Sequence, residues 1–269
     1  MLVFPNAKIN IGLNIIEKRD DGYHNIETLF YPIYRLYDAL EVVEAKELSL
    51  TVSGYSIADG IDDNLIIKAY RLLQNDFGLP PVAFYLKKAI PMGAGLGGGS
   101  ADASFTLKAL NDMFRLGLTE RQLMDYALKI GADCPFFITN RPSYAQGKGE
   151  RLTVNALDLT GKYLLMIKPD IHLSTKEAYA GVTPRKSDIS LQESLKQPIR
   201  QWRDMVINQF EQSIFAHYTE LKTIKDEIYR LGADYAAMSG SGSTIYGIFD
   251  QMPDADKIGS RYYKKVVLL

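Results

Sequence analysis

The chain has 269 residues, enough for one large domain or two ordinary ones, and 46% hydrophobic with 23% charged residues is globular composition, neither disordered nor membrane-like. A formal net charge of −1 provides no global field for a polyanion, which weighs against a nucleic-acid partner. The single cysteine cannot close an internal disulfide, and no stretch approaches the ~20 apolar residues that span a bilayer, so a cytoplasmic protein with no membrane partner is expected.

The N-terminal stretch lacks a basic region and is interrupted by Lys8, Asn10 and Asn14, a poor match to a signal peptide. Ile9, Ile11, Leu13 and Ile15 alternate with Lys8, Asn10, Gly12 and Asn14, the period of a half-buried strand over 7–16 with Lys8 and Asn10 facing away from the core. Asp20-Asp21-Gly22 marks a turn, and Ile26–Tyr31 reads as the return strand. Further strands are predicted at Ala39–Glu44 and Leu48–Val52. Asn64 caps a helix reaching Phe77, with Gly78 as its stop. Val82–Ile90 is a strand, a glycine loop follows, and helices are predicted from about Ser100 to Phe114 and from the capping box Thr119–Gln122 to Ile130.

Beyond a weak turn signal at Thr160-Gly161, the pattern predicts a strand at Tyr163–Ile167 and a short helix from Ser174 or Thr175. Ser187–Gln197 reads as a polar insertion, and helices are predicted over Met205–Phe215 and Thr219–Leu231. Three strands (Tyr235–Met238, Thr244–Phe249 and Tyr262–Leu268) and the turn Ser239–Ser243 complete the chain.

Five of the seven residues from Gly93 to Gly99 are glycine. Glycines permit positive φ and close approach of an anion to backbone amides, and a helix start behind them adds its positive end, so phosphate is the ligand such a loop suits. A plain flexible turn needs only one or two. The Walker A pattern requires a lysine where this chain has Gly99. Gly93-x-Gly95-x-x-Gly98 fits the dinucleotide fingerprint formally, but that motif needs a strand after its helix and here a second helix is predicted. A nicotinamide enzyme is therefore the weaker reading.

Three segments, Pro5–Leu13, Pro91–Ala101 (Pro91, Met92, Gly93, Ala94, Gly95, Leu96, Gly97, Gly98, Gly99, Ser100, Ala101) and Ala237–Ser243, resemble in order and spacing the three motifs of the GHMP small-molecule kinases. Ala7-Lys-Ile-Asn10, Asp21-Gly-Tyr-His24 and Gly131-Ala-Asp-Cys-Pro-Phe136 are similar to the branch of that family whose substrate is methylerythritol carrying a cytidine diphosphate. The resemblance implies an α+β, two-domain GHMP kinase fold: a ribosomal protein S5 domain 2-like N-terminal domain over 1–158 and a ferredoxin-like C-terminal domain over 159–269. It implies ATP with Mg²⁺ as phosphoryl donor, bound by the Pro91–Ala101 loop, with Ser100 a candidate in the ion's coordination sphere. It implies Asp133 as the base for the acceptor hydroxyl and Lys8 as the cation that polarises it. Tyr23 and His24 would receive the cytosine, Tyr179 would stack on it, and Asn10 and Thr175 would contact the methylerythritol. The turn Ser239, Gly240, Ser241, Gly242 would pack beside the loop.

Without the resemblance these residues say less. A strand lysine is usually solvated, and an Asp between Gly-Ala and Cys-Pro is usually a turn or cap. His172 and His217 have no such company and read as structural. No histidine stands near Cys134 in sequence to activate it, so a thiol nucleophile is not expected.

Overall fold

In the computed structural model, which describes residues 1–55, 63–186 and 189–269, the chain gathers into two compact units. The first comprises residues 1–8, 32–92 and 97–141, and the second 9–31, 93–96 and 142–269.

The elements up to residue 141 are β1 (Leu2–Val3), β2 (Asn6–Lys18), β3 (His24–Tyr37), β4 (Ala39–Glu44), β5 (Ser49–Gly54), α1 (Leu65–Phe77), β6 (Val82–Lys88), α2 (Gly98–Met113), α3 (Glu120–Ile130) and α4 (Cys134–Thr139). In the first unit a sheet of order β1-β4-β6-β5 has β5 and β6 parallel, joined through α1. The signals that predicted α1 act as expected. Asn64 accepts from the Ile66 amide at 2.9 Å, Gly78 closes the helix at φ 65°, and Ile66, Ile67, Ala69, Tyr70 and Leu73 are buried. Thr119 and Gln122 form the capping box of α3. The core of this unit joins the inner faces of β4 and β6 to Leu107 and Leu110 of α2 and Leu123 of α3.

The alternation over 7–16 predicted a half-buried strand, and here the structure differs. Asn6 to Ile15 are buried without a break, so Lys8 and Asn10, each 3% exposed, face covered ground rather than solvent. The pattern separated the two faces correctly; it could not reveal that the polar face is also packed.

The second unit contains a sheet of order β2-β3-β7-β8, with β7 (Ser143–Gly147) and β8 (Arg151–Val154), neither of which the sequence predicted. These two strands carry little alternation, and β7 takes its order from pairing with β3, Ile26 opposite Gly147 and Phe30 opposite Ser143. There follow β9 (Tyr163–Lys168), α5 (Thr175–Ala180), α6 (Leu191–Leu195), α7 (Phe210–His217), α8 (Thr219–Arg230), β10 (Tyr235–Met238), β11 (Ile245–Phe249) and β12 (Tyr263–Leu268). The antiparallel order β10-β11-β9-β12 is the 2-3-1-4 arrangement of a ferredoxin-like sheet, with a short 3₁₀ turn at Ala255–Lys257 before the last strand. Leu165 and Ile167 of β9, Phe210 and Ile214 of α7, and Ile224 and Ile228 of α8 lie in one apolar core.

Two local expectations need correction. The helix predicted over Met205–Phe215 begins only at Phe210, because Asn208 is engaged elsewhere. Its amide donates to the carbonyls of Met238 and Gly240, both at 2.8 Å, and its Oδ1 accepts from the Phe210 amide at 3.0 Å. The segment 187–197 is not merely a polar insertion. Its first two residues lie outside the described ones, but Leu191 of α6 is buried, and its Cδ1 would stand 2.5 Å from a Cβ placed on Gly12. Among the described residues, no helix is long and apolar enough to cross a membrane.

Candidate active site

The 13-residue strand β2 supplies Lys8 to the first unit. Its Nζ lies 3.4 Å from Asp133 Oδ2, with side-chain exposures of 3% and 37%. Burial lowers the Lys8 pKa, and the charge and hydrogen bond of Asp133 work in the opposite direction. Asp133 occupies the N-cap position of α4, but its side chain makes no capping hydrogen bond. The usual reading of an Asp in this context, a cap, is therefore not what this carboxylate does. Its helix, which the sequence did not predict, is only six residues long and starts with Cys134-Pro135.

The exit of the glycine loop adjoins this pair. Gly97, at φ 72°, precedes α2, and a Cβ there would meet Phe137 Cζ at 2.9 Å and Lys8 Cγ at 3.0 Å. Lys8 thus runs against bare backbone, a passage that only glycine leaves open. Gly98, Gly99, Ser100 and Ala101 form the first turn of α2, with Gly98 to Ser100 partly exposed and Ala101 buried. Burial pushes the Cys134 thiol up to about 12, against lowering by hydrogen bonds with Ser100 and Ser104. A thiol held there is protonated and inert at neutral pH, as the sequence suggested.

In the second unit the loop residues Gly93–Leu96 pack on the turn Ser239–Gly242. Ser239 Oγ donates to the Gly95 carbonyl at 2.8 Å and accepts from the Asn10 amide at 3.3 Å. The Thr244 amide donates to the Ala94 carbonyl at 3.3 Å. Ala94 and Leu96 are buried and anchor the loop. Pro91 is also buried, while Met92 and Gly93 are exposed. Gly240 and Gly242 are buried and Ser241 is partly exposed. Asn10 is further fixed by its side chain, which donates to Thr28 Oγ1 at 3.0 Å, and by Tyr246, whose hydroxyl donates to the Asn10 carbonyl at 2.8 Å.

Thr28 and Tyr246 belong to no motif in the sequence; the one signal is the parity of Thr28 with Ile26, which places its hydroxyl on the apolar, buried face of β3. His172, read as structural, stands at the loop: its Nδ1 would be 3.1 Å from a Cβ on Gly93.

The turn between β2 and β3 is braced by its own polar groups. Gly22 takes φ 82°, Arg19 Nε donates to Asp21 at 3.0 Å, and the Tyr23 amide donates to Asp21 Oδ1 at 3.1 Å. Tyr23 is left exposed, with the Lys148 ammonium 4.6 Å from its ring centre. His24 stacks on Tyr179, ring centres 4.6 Å apart and planes 20° apart, and Tyr179 meets the edge of Phe210. Burial, and to a lesser degree the Lys18 charge, lower the His24 pKa, favouring the neutral imidazole that both donates and accepts. Thr175, by contrast, is the exposed first residue of α5, whose cap is Ser174.

Comparison with known proteins accounts for this combination. Residues 64–141 match the family model for the GHMP kinases N terminal domain, and residues 191–267 that for the GHMP kinases C terminal. The 4-diphosphocytidyl-2-C-methyl-D-erythritol kinase of Bacteroides thetaiotaomicron is 49% identical over 263 residues, spanning 95% of this chain and 96% of that protein. The chain belongs to this family of GHMP kinases. The protein of the same name from Cytophaga hutchinsonii is 48% identical over 94% of each chain. A solved structure of 4-(cytidine 5'-diphospho)-2C-methyl-D-erythritol kinase superposes with a TM-score of 0.79 at 33% identity, covering 92% of this chain and 90% of that one. The mevalonate kinase of Methanococcus jannaschii, at TM-score 0.70 and 12% identity, shares the two-domain GHMP kinase fold.

Proposed function

We propose that the chain transfers the γ-phosphoryl group of ATP to the 2-hydroxyl of 4-diphosphocytidyl-2-C-methyl-D-erythritol, a step of the non-mevalonate route to isoprenoids, in the cytoplasm. The observation that carries the chemical part is the Lys8–Asp133 pair at 3.4 Å, lying against the exit of the glycine loop.

An alcohol is a weak nucleophile at neutral pH, and a carboxylate within hydrogen-bond reach is the usual remedy. Asp133 takes the hydroxyl proton as the oxygen bonds to the γ-phosphorus and the bond to the β-phosphate oxygen breaks, releasing ADP. Lys8 holds the hydroxyl and Asp133 in register and offsets the charge that develops on the transferring group. The amides of Gly93–Ala101 and the start of α2 receive the phosphates. Ser239 and Asn10 keep the loop and the acceptor strand in place.

Among the described residues, no group of three or more His, Cys, Asp and Glu side chains is placed to hold a metal ion. Ser100, in the first turn of α2, is the side chain that would hold a Mg²⁺ arriving with the nucleotide. When bound, the ion supplies charge neutralisation on the phosphates.

We assign cytosine recognition to Tyr23, His24 and Tyr179, with Asn10 and Thr175 turned to the methylerythritol. The base, a larger π-face than imidazole, displaces the His24 ring from Tyr179, and His24 is released to bond the base edge. Truncating Tyr179 to Ala is then expected to raise KM for the cytidyl substrate about 10- to 100-fold, the worth of one stacked base, with KM for ATP unchanged. Equal effects on both substrates would count against the assignment.

The deciding experiment is ADP release from a panel of alcohols: the cytidyl diphosphate substrate, mevalonate, homoserine and simple sugars. Turnover confined to a sugar or to mevalonate sinks the proposal. The pH profile gives an independent check. Lys8 must be charged, and its pKa is lowered, so kcat falls as pH rises through a value below that of free lysine, ~10.4. Cys134, held at about 12, does not titrate in that window. An alkaline limb at or above the ordinary lysine value would remove Lys8 from this role.

A further inference from the structure

A second lysine is as closed to solvent as Lys8 and has no part in the chemistry above. Lys88 ends β6, three residues before Pro91, and its side chain is 1% exposed. Its ammonium donates to Asp38 Oδ2 and, at 2.8 Å, to Asp102 Oδ2. Both carboxylates are buried, at 0% and 4% side-chain exposure. Asp38, between β3 and β4, uses its other oxygen to accept from the amides of Ala89 at 2.6 Å and Ile90 at 2.8 Å. Asp102 lies in the first turns of α2, and a Cβ on Gly98 would stand 3.2 Å from the Lys88 ammonium. All of these residues belong to the first unit.

Three ionisable groups in a dry interior are a costly arrangement, and apolar side chains of similar volume would often serve stability as well. The distinctive thing about this cluster is what it connects. Asp38 fixes the backbone that enters the glycine loop, Asp102 rides on the helix that leaves it, and Lys88 bonds both. The loop cannot fix its own ends, since five of its seven residues have no side chain.

We propose that Asp38, Lys88 and Asp102 are positioning residues that clamp the entrance and exit of the glycine loop at the separation ATP requires. This rests on the reading of that loop as the phosphate site.

The charge state suits the task. Burial first, and then the neighbouring Asp38, raise the Asp102 pKa to about 8, while Lys88 lowers it. Burial opposes the charge on Lys88, yet the two carboxylates together raise its pKa. Burial thus favours the neutral form of the Asp102 carboxyl, while the Lys88 ammonium pulls the other way. A carboxyl raised in this way places less negative charge beneath a site for phosphates than an ordinary carboxylate would. Asp102 Oδ1 is buried and has no hydrogen-bond partner among the described residues, so the carboxyl is held chiefly through its other oxygen.

The test measures binding of a non-hydrolysable ATP analogue, together with kcat and both KM values, in the full-length wild type and three variants. Lys88→Met cuts both links. Asp102→Ala cuts only the link to α2 and leaves the Lys88–Asp38 pair intact, so it keeps the test alive if the first variant does not fold. Asp102→Asn retains an oxygen that can accept from Lys88. The expected result is that Lys88→Met and Asp102→Ala weaken analogue binding and raise KM for ATP by about tenfold or more, with KM for the alcohol and kcat within about threefold. Asp102→Asn should restore most of the loss. Analogue affinity within about twofold of wild type in folded Asp102→Ala overturns the clamp, as does an equal rise in both KM values. A wild type that neither binds the analogue nor turns over would instead refute the phosphate reading of the loop.

Discussion

Replacing Asp133 by Asn is expected to lower kcat by about 100- to 10,000-fold while leaving ATP binding intact, the range typical of losing a general base. The substitution keeps the shape of the side chain and removes its charge and its capacity to take a proton. The α4 helix should survive it, because Asp133 makes no capping hydrogen bond there. Lys8 also feels the change. With the carboxylate gone, burial is no longer opposed by the charge of Asp133, so a larger fraction of Lys8 is neutral at any alkaline pH. Single-turnover measurements with saturating ATP separate this from a binding defect, and wild-type-like turnover would remove Asp133 as the base.

The second large effect is expected at Gly95. At φ 71° any other residue sits in the left-handed region at a cost of about 1–2 kcal/mol. A Cβ there would also stand 2.0 Å from the Ser239 carbonyl oxygen and 3.0 Å from that of Gly242. Neither neighbour is a flexible side-chain tip. Ser239 is pinned by its amide, which donates to the Thr244 carbonyl at 2.9 Å, and by its hydroxyl on the Gly95 carbonyl. Gly95→Ala must therefore push the loop off the turn. ATP affinity should fall by at least about 100-fold, the equivalent of two tenfold steps. Gly232→Ala is the control: its φ is 95°, but a Cβ there would meet nothing within 4 Å, so it incurs only the conformational cost. Loss of ATP binding, read by calorimetry, should appear in the first variant and not in the second. Equal affinities would show that loop and turn do not need this contact.

What the sequence made legible follows from how local each signal is. Caps and glycine stops name their partners within a few residues, so α1 and α3 were read correctly. The glycine loop announced itself by composition alone. Asp133 did not, because what distinguishes it is a lysine 125 positions earlier in the chain, and only the family resemblance linked the two. The buried polar face of β2 was likewise invisible, since alternation tells which residues share a face and not what covers it. The delayed start of α7 came from Asn208 reaching carbonyls 30 and 32 residues away, a pull that no propensity contains. The Asp38–Lys88–Asp102 cluster spans 64 positions and left no motif to find.

The state of Cys134 has a practical side. It is the chain's only cysteine, it is fully buried, and it opens the short helix that directly follows Asp133. A thiol-reactive probe can reach it only when that helix lifts from the core, so the rate of labelling measures local opening of this segment in the native protein. The enzyme thus carries a native reporter next to Asp133, and no cysteine has to be introduced to read it.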